Sequence, residues 1–362
     1  MNDPDSDVDA KARAKYGRVE PEGPDPFGPN GTEPSQQEKV FAERLAQFQS
    51  ALCSFEDFCK LDVKPREHLI GDWMLEGDTG FVFGQRGSGK TWLLDLIVSR
   101  VSSGRSIDDE WDITSKEHVL LVDGEMPLDD SRARLKGLGA DGEYLHVLHH
   151  EVLFEKTGLV MNLTDPTIQQ IITKLCEDTG AKLLVLDTQS SLFRGMSEAE
   201  ADDWEKVLGW LLDLRRRRIA TLIVLHAGWN GEHARGTSRR EDDAFWVIKV
   251  KQTDEYEPNE KGCKFETIFT KCRNTDARPK ARRWHIVTEH DGTVTYNCDD
   301  FSFDDKVFDL IQAGEPSPTE IAKELSVSRS TVIRAIRRLE KQKRIKRVGS
   351  GKNVTYEPCD GA

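Results

Sequence analysis

The chain has 362 residues, 37% of them hydrophobic and 32% charged, with a net charge of −13. At about 150 residues per domain that is two domains and a remainder, enough to bury a core without disulfides, and the apolar share excludes wholesale disorder. No apolar run approaches the roughly 18 residues of a membrane-spanning helix, and the acidic start, Met1 to Ala10, has no apolar stretch of a secretory signal, so the expected address is the cytoplasm, with no membrane partner.

Residues 1–35 read as a disordered acidic tail, punctuated by Pro4, Pro21, Pro24, Pro26, Pro29 and Pro34 and with little to bury. An N-terminal helical arm follows over 36–64. Val40, Leu45 and Phe48 form a partial stripe on it, suited to oligomerisation or to simple docking. Residues 65–300 alternate short apolar strands with helices. The predicted strands are Gly80–Phe83, His118–Val122, Tyr144–Leu148, Leu183–Leu186 and Leu222–Leu225. The predicted helices are Thr91–Val101, Thr164–Cys176 and Ser197–Arg217, the last opened by a capping box at Ser197 and Glu200. Fully apolar strands in this rhythm predict a mainly parallel sheet covered on both faces. Four further strands, Phe245–Val250, Phe265–Thr270, Arg283–Val287 and Thr293–Tyr296, read as an antiparallel extension.

Residues 301–358 change rhythm again. Val307–Ala313 is helical. Ser317, Pro318 and Glu320 open a second helix as a capping box. A third runs from Ser328 to about Lys343 with Val332, Ile336 and Leu339 on one face. Arg344–Val348 and Asn353–Tyr356 flank a glycine turn. Three helices and a hairpin outline a small α+β winged helix-turn-helix. Eleven Lys/Arg and only Glu324 and Glu340 lie between Lys323 and Lys352, a local charge of +9 that leaves −22 for the rest. That asymmetry points to a nucleic-acid-binding end. The seven cysteines are scattered without a C-x-x-C pair, which suits a reducing compartment and argues against a zinc cluster.

Gly84-Gln85-Arg86-Gly87-Ser88-Gly89-Lys90-Thr91 fits G-x-x-x-x-G-K-[ST], between a predicted strand and a predicted helix. The glycines let backbone N–H groups curl around phosphate oxygens, and the helix dipole points at the same place. Lys90 reaches the β- and γ-phosphates, and the Thr91 hydroxyl suits Mg²⁺. Asp187, closing an apolar strand, is the second metal-side residue. Hydrolysis needs a base or a water-orienting group. Glu125 is the first choice, at the end of Val122-Asp123-Gly124-Glu125, and Asp123 the alternative.

Taken in order, Lys90-Thr91-Trp92, Val122 to Pro127, Leu184 to Thr188, Leu225-His226 and Ala234 to Ser238 resemble the RecA-like P-loop ATPases of the RepA type, ring-forming replicative helicases of plasmids and phages. The resemblance spans about Pro65 to Val287. It implies an α/β RecA-like NTPase core that binds ATP and Mg²⁺ and assembles as a homo-hexamer. It makes Glu125 catalytic and adds Trp92 to the nucleotide-binding loop. His226 becomes a sensor of the γ-phosphate. Lys271 and Arg273 resemble the Lys-x-Arg-Asn element that reaches a neighbour's γ-phosphate, with Arg235 a competing finger. Single-stranded DNA in the ring channel would meet Ser190–Ser197, with Phe193 and Arg194, and Gly228–Arg240. Two features depart from the pattern: Ala227 follows His226 where many relatives have a second His, and the acidic tail and winged helix are additions.

On the third C-terminal helix, Arg329, Ser330, Thr331 and Arg334 are placed to meet base edges of duplex DNA. Arg337, Arg338, Lys341 and Lys343, with Arg344, Lys346, Arg347 and Lys352 in the wing, suit phosphates. Two functions are therefore expected: a DNA-replication motor that hydrolyses ATP, or a nucleotide-gated regulator or helicase loader that does not unwind.

Overall fold

The computed structural model describes residues 35–196, 201–227, 242–253, 261–276, 278–314, 317–325, 327–348 and 355–359. The chain divides into two compact units, Met1–Lys64 and Pro65–Ala362. In the first, α1 (Gln36–Ala51) begins at a capping box formed by Ser35 and Glu38, and α2 (Phe55–Cys59) begins at Ser54. Phe41, Phe48, Phe55 and Phe58 are exposed.

The second unit starts with a short hairpin, β1 (His68–Ile70) and β2 (Met74–Leu75). Its centre is a nine-stranded sheet ordered β11-β10-β9-β8-β3-β7-β6-β4-β5. The strands are β3 (Thr79–Gly84), β4 (Val119–Asp123), β5 (Leu145–His149), β6 (Leu183–Asp187), β7 (Ala220–His226), β8 (Trp246–Gln252), β9 (Gly262–Cys272), β10 (Ala281–Thr288) and β11 (Val294–Phe301). Helices α3 (Lys90–Ser103), α4 (Leu128–Gly137), α5 (His150–Thr157), α6 (Pro166–Thr179), α7 (Gln189–Leu192) and α8 (Ala201–Arg216) connect the parallel strands. The helix expected from Ser197 is described from Ala201, and its expected capping box lies outside the described residues.

The strands from β8 to β5 in the sheet order are mutually parallel. This corrects one expectation. The first of the four late strands, β8, is not part of the antiparallel extension but runs parallel to β3, with Gly80 opposite Trp246. It starts at the same sheet edge as β3, so its direction matches. Within this sheet, among the described residues, the antiparallel pairings are those of β9, β10 and β11.

Both faces of the sheet are covered, as the unbroken apolar strands require. In β3, Val82 faces a core with Trp73, Trp111, Trp246 and Trp284, while Phe81 and Phe83 face one with Trp204 and Trp210. The first core is an aromatic contact chain: Trp73 lies 4.8 Å from Trp111 and 5.1 Å from Trp246, and Trp111 lies 5.3 Å from Trp284. Burying each such side chain stabilises the fold by about 2–3 kcal/mol.

One residue, Ser302, separates β11 from α9 (Phe303–Gln312). It caps α9 reciprocally with Asp305. Then come α10 (Pro318–Glu324), α11 (Arg329–Lys341) and the antiparallel wing strands β12 (Ile345–Val348) and β13 (Thr355–Pro358). Ser317 caps α10 by accepting from Thr319 N, and not through the capping box expected with Glu320. Val307, Phe308, Ile321, Val332, Ile336, Leu339 and Ile345 form the module's own core. Lys306 on α9 pairs at 2.5 Å with Glu266, which is buried on β9, and so ties the module to the sheet.

The strand that delivers the phosphate loop tolerates no extra atom at Gly80, where a Cβ would stand 2.2 Å from the Trp246 ring. Gly80→Ala should cost about 1–3 kcal/mol by overpacking, read as a fall in thermal or urea midpoint. An unchanged midpoint would mean that β3 and Trp246 are not packed as described.

Candidate functional site

Parallel strands end at one sheet edge, which gathers their last residues in a row. Gly84 stands opposite His226, and Asp123 stands opposite both Asp187 and His149. Such an edge is where ligands bind in open α/β sheets.

The loop after β3 is shaped by its glycines. Gly87 and Gly89 have φ of +74° and +98°, values that L side chains rarely adopt. A Cβ on Gly84 would meet Val250 O at 2.3 Å, and one on Gly89 would meet the Phe265 ring at 2.5 Å. Helix α3 starts at Lys90 with no side-chain cap on its first turn, so its N–H groups are left for an anion.

Lys90 is buried, and its Nζ donates to Gly84 O at 3.0 Å and Gln85 O at 2.7 Å. Burial holds the ammonium below its ordinary range, while Asp187 and Glu125 pull it back up. Asp187 is also buried. Burial, reinforced by Asp123 and Glu125, pushes its carboxyl up to about 7 against the opposing Thr91 hydrogen bond and Lys90 charge. Among the described residues its Oδ1 has no hydrogen-bond partner, nor has the buried Ser88 hydroxyl. A buried carboxylate oxygen without a donor, next to a threonine hydroxyl, is a hard-oxygen pair that suits Mg²⁺. The unpartnered Ser88 Oγ and the uncapped helix suit phosphate.

Glu125 is exposed at the rim of the crevice, and its Oε2 accepts from Thr188 Oγ1 at 2.8 Å. Asp123 is buried. Its Oδ1 accepts from Glu125 N at 3.1 Å and Met126 N at 3.0 Å, so it builds the turn that presents Glu125. Gln85 and Arg86 are exposed on the loop. Trp92 is partly buried against the tryptophan-lined core, with the Arg134 guanidinium 4.3 Å from its ring centre. Asp95, one helical turn beyond Thr91, is buried 3.9 Å from Arg134, and burial raises its carboxyl well above the ordinary value.

The structure brings Gly84–Thr91, Asp187, Glu125 and His226 to one edge and sets Lys271 and Arg273 at the other. In the antiparallel β9, Lys271 pairs with Val247, which pairs with Phe81 of β3. That is three residues, or about 10 Å, back along the strand from Gly84. There both side chains donate to Asp242 O, at 2.9 Å from Lys271 Nζ and 2.5 Å from Arg273 Nη2. Asn274 is tied to Trp73 O and Asp78.

The expected DNA-facing residues separate by burial. Phe193 is a correction: it is buried in the core beneath α7 and cannot face a channel, while Arg194 is exposed beside it. Arg235 and the rest of Gly228–Arg240 lie outside the described residues, as does Lys352. On α11, Arg329, Ser330, Arg334 and Arg337 are exposed opposite buried Val332, Ala335, Ile336 and Leu339, with Thr331 half-buried. Arg347 is exposed on β12. Arg338 is engaged bidentately by Asp304 at 2.6 and 2.7 Å, and Arg344 by Asp305 at 2.5 Å. Neither pairing could be foreseen, because the partners lie 34 and 39 residues apart. Thr188, Arg134 and His149 are further neighbours of the site to which no role was expected. Of these only Thr188 had a local signal, as the residue after Asp187.

A phosphate loop on a mainly parallel sheet, followed by a helix-turn-helix, defines a RecA-like P-loop ATPase with a C-terminal HTH domain. Comparison with known families agrees: an AAA domain matches residues 42–232 and an HTH domain matches residues 306–349. The AAA match covers more than half of the chain, and the protein belongs to that family. Among solved structures, the chain is similar to the crystal structure of KaiC-like protein PH0186 from the hyperthermophilic archaeon Pyrococcus horikoshii OT3. The identity is 17% and the TM-score 0.44, over 64% of this chain and 100% of that one. No curated protein matches.

The raised carboxyl of Asp187 has a testable sign. Its folded value, about 7, lies above its ordinary 3.8, so the nucleotide-free fold loses stability as pH rises between those values. Asp187→Asn should remove that loss. Thermal unfolding at about pH 5 and about pH 8 should show the variant gaining on wild type at the higher pH; the same difference at both would contradict a buried, charge-crowded carboxyl.

Proposed function

We propose that the protein is a Mg²⁺-dependent, ring-forming ATPase of replicative-helicase type that works on DNA in plasmid, phage or mobile-element replication. The observation that carries this reading is the separation of the basic pair from the phosphate loop. Lys271 and Arg273 stand at the sheet edge away from their own crevice, so they suit a γ-phosphate held by a neighbouring copy. That favours an active site completed only in an assembly, with a homo-hexamer the expected form.

In this reading Lys90 leaves the Gly84 and Gln85 carbonyls for the β- and γ-phosphates. Thr91 and Asp187 hold the metal, which supplies positive charge to the phosphates. Gly84 to Trp92 wrap the nucleotide. Glu125 takes the proton of the attacking water, and His226 at the end of β7 senses the γ-phosphate. Arg273, with Lys271, adds positive charge where negative charge grows, worth about 10³-fold or more in rate. Arg194 faces single-stranded DNA, and Arg329, Ser330, Thr331, Arg334 and Arg337 face a duplex. Arg338 joins them only if its pair with Asp304 opens.

A second reading, a nucleotide-gated regulator or loader, is favoured by the short tether of the winged helix. With Ser302 as the sole spacer and Lys306 on Glu266, the module is well placed to sense changes in the sheet.

Subunit mixing tests the shared site. Arg273→Ala and Lys90→Ala should each be inactive alone. Mixed in equal amounts they should restore about a quarter of the interfaces, read as ATP turnover; no recovery would argue against a finger in trans. ATPase stimulated by single-stranded DNA, with unwinding of a fork, supports the motor. Slow, DNA-insensitive hydrolysis with site-specific duplex binding supports the regulator.

Duplex binding should weaken steeply with salt. Arg337→Ala should reduce the slope of log affinity against log salt by about 1. A flat dependence would instead assign the basic helix to a protein partner.

A further inference from the structure

Glu125 projects from a turn with no secondary structure of its own, yet a general base must be held within a few tenths of an ångström to be effective. The structure shows what grips that turn. Three consecutive residues where β5 passes into α5 contact three points along it. His149 is buried, with Nε2 3.8 Å from Asp123 Oδ2. His150 Nε2 lies 3.3 Å from Met126 O, and Glu151 Oε2 accepts from Leu128 N at 3.3 Å. The two imidazoles stack at 4.9 Å.

The hydrogen bonds fix which nitrogen carries each proton. His149 Nδ1 accepts from Glu151 N at 3.2 Å, capping α5. In the neutral ring the proton is therefore on Nε2, the atom that faces Asp123. Met126 O can only accept, so His150 also carries its proton on Nε2. Asp123 thus has its two oxygens in different service: Oδ1 receives the N–H groups of Glu125 and Met126, and Oδ2 faces the buried imidazole N–H at 3.8 Å, a charge–dipole contact beyond hydrogen-bond distance, with Nε2 making no hydrogen bond among the described residues.

We infer that His149 and His150 are positioning residues for Glu125, holding the Asp123–Met126 turn from β5 so that the Glu125 carboxylate stays over the crevice. This rests on Glu125 being the base of the proposed ATPase. The role assigned to the histidines is indirect. They act through Asp123 and Met126, and Thr188 steadies the carboxylate from the opposite side.

Two substitutions at His149 separate positioning from helix capping. Asparagine is a good N-cap but is too short to present a donor where Nε2 stands. Glutamine presents a donor near that point but caps poorly. Positioning predicts that His149→Gln keeps kcat within about threefold of wild type and that His149→Asn loses about 10- to 100-fold. KM and the affinity for MgATP should be unchanged in both. A capping role alone predicts the reverse order. In a Glu125→Gln background, His149→Asn should lower the residual rate no further, since both changes act on one group. His150→Ala, at a half-buried surface position, provides a second test should His149→Asn fail to fold; it should lower kcat about 3- to 10-fold with KM unchanged. Wild-type kcat in both His149→Asn and His150→Ala, or losses in KM alone, would overturn the inference. A wild-type protein that binds MgATP but never hydrolyses it would overturn the assignment of Glu125 itself, a different failure seen before any histidine variant is made.

Discussion

At the mouth of the parallel strands an ammonium and a carboxylate are buried in the same crevice without completing each other. Lys90 spends its protons on two loop carbonyls, and Asp187 keeps one oxygen without a donor among the described residues. Buried charge is tolerated only when it is paired, neutralised or reserved for a ligand. Burial pushes the two groups toward neutrality from opposite sides, lowering the lysine and raising the aspartate. A phosphate chain with a divalent ion would satisfy both at once. The glycine geometry of the loop, the uncapped start of α3 and the turn that carries Glu125 all depend on strands that finish together at this edge.

The same sheet explains the polarity of the molecule. Parallel strands send the phosphate-binding residues one way. The first antiparallel return, β9, carries Lys271 and Arg273 the other way, where they rest on a backbone carbonyl. The binding loop and this basic pair thus lie toward opposite edges of the sheet. The winged helix follows β11 almost without a spacer and concentrates the positive charge of an otherwise acidic protein on one face of α11. Phosphate loop, basic pair and winged helix thus occupy different parts of one frame.

Much of this could be read from the residues, and what could not has a physical reason. The phosphate loop, the strand ending in Asp187 and the stripe of Val332, Ile336 and Leu339 are local patterns, in which every informative residue lies within one or two turns of the next. The direction of β8 was not local. An apolar strand looks alike whether it enters the sheet parallel or antiparallel, and only the path of the preceding connection decides. The β1–β2 hairpin was too short to show a period, and α4 too polar, with only Ser131 and Leu135 buried. Phe193 was expected in the channel segment with Arg194, but packing beneath α7 decided its place. The pairing of Arg338 with Asp304, and the grip of His149 and His150 on the Glu125 turn, join residues more than twenty positions apart. Such contacts follow from tertiary structure, not from spacing.

The most direct test of the account is titration calorimetry of the purified wild-type chain with ATP, with and without Mg²⁺. Saturable binding that tightens when the metal is present is the predicted result, because the buried Asp187 Oδ1 then has a partner. No heat of binding with ATP or GTP at any ionic strength, by a protein that is folded by circular dichroism, would contradict it.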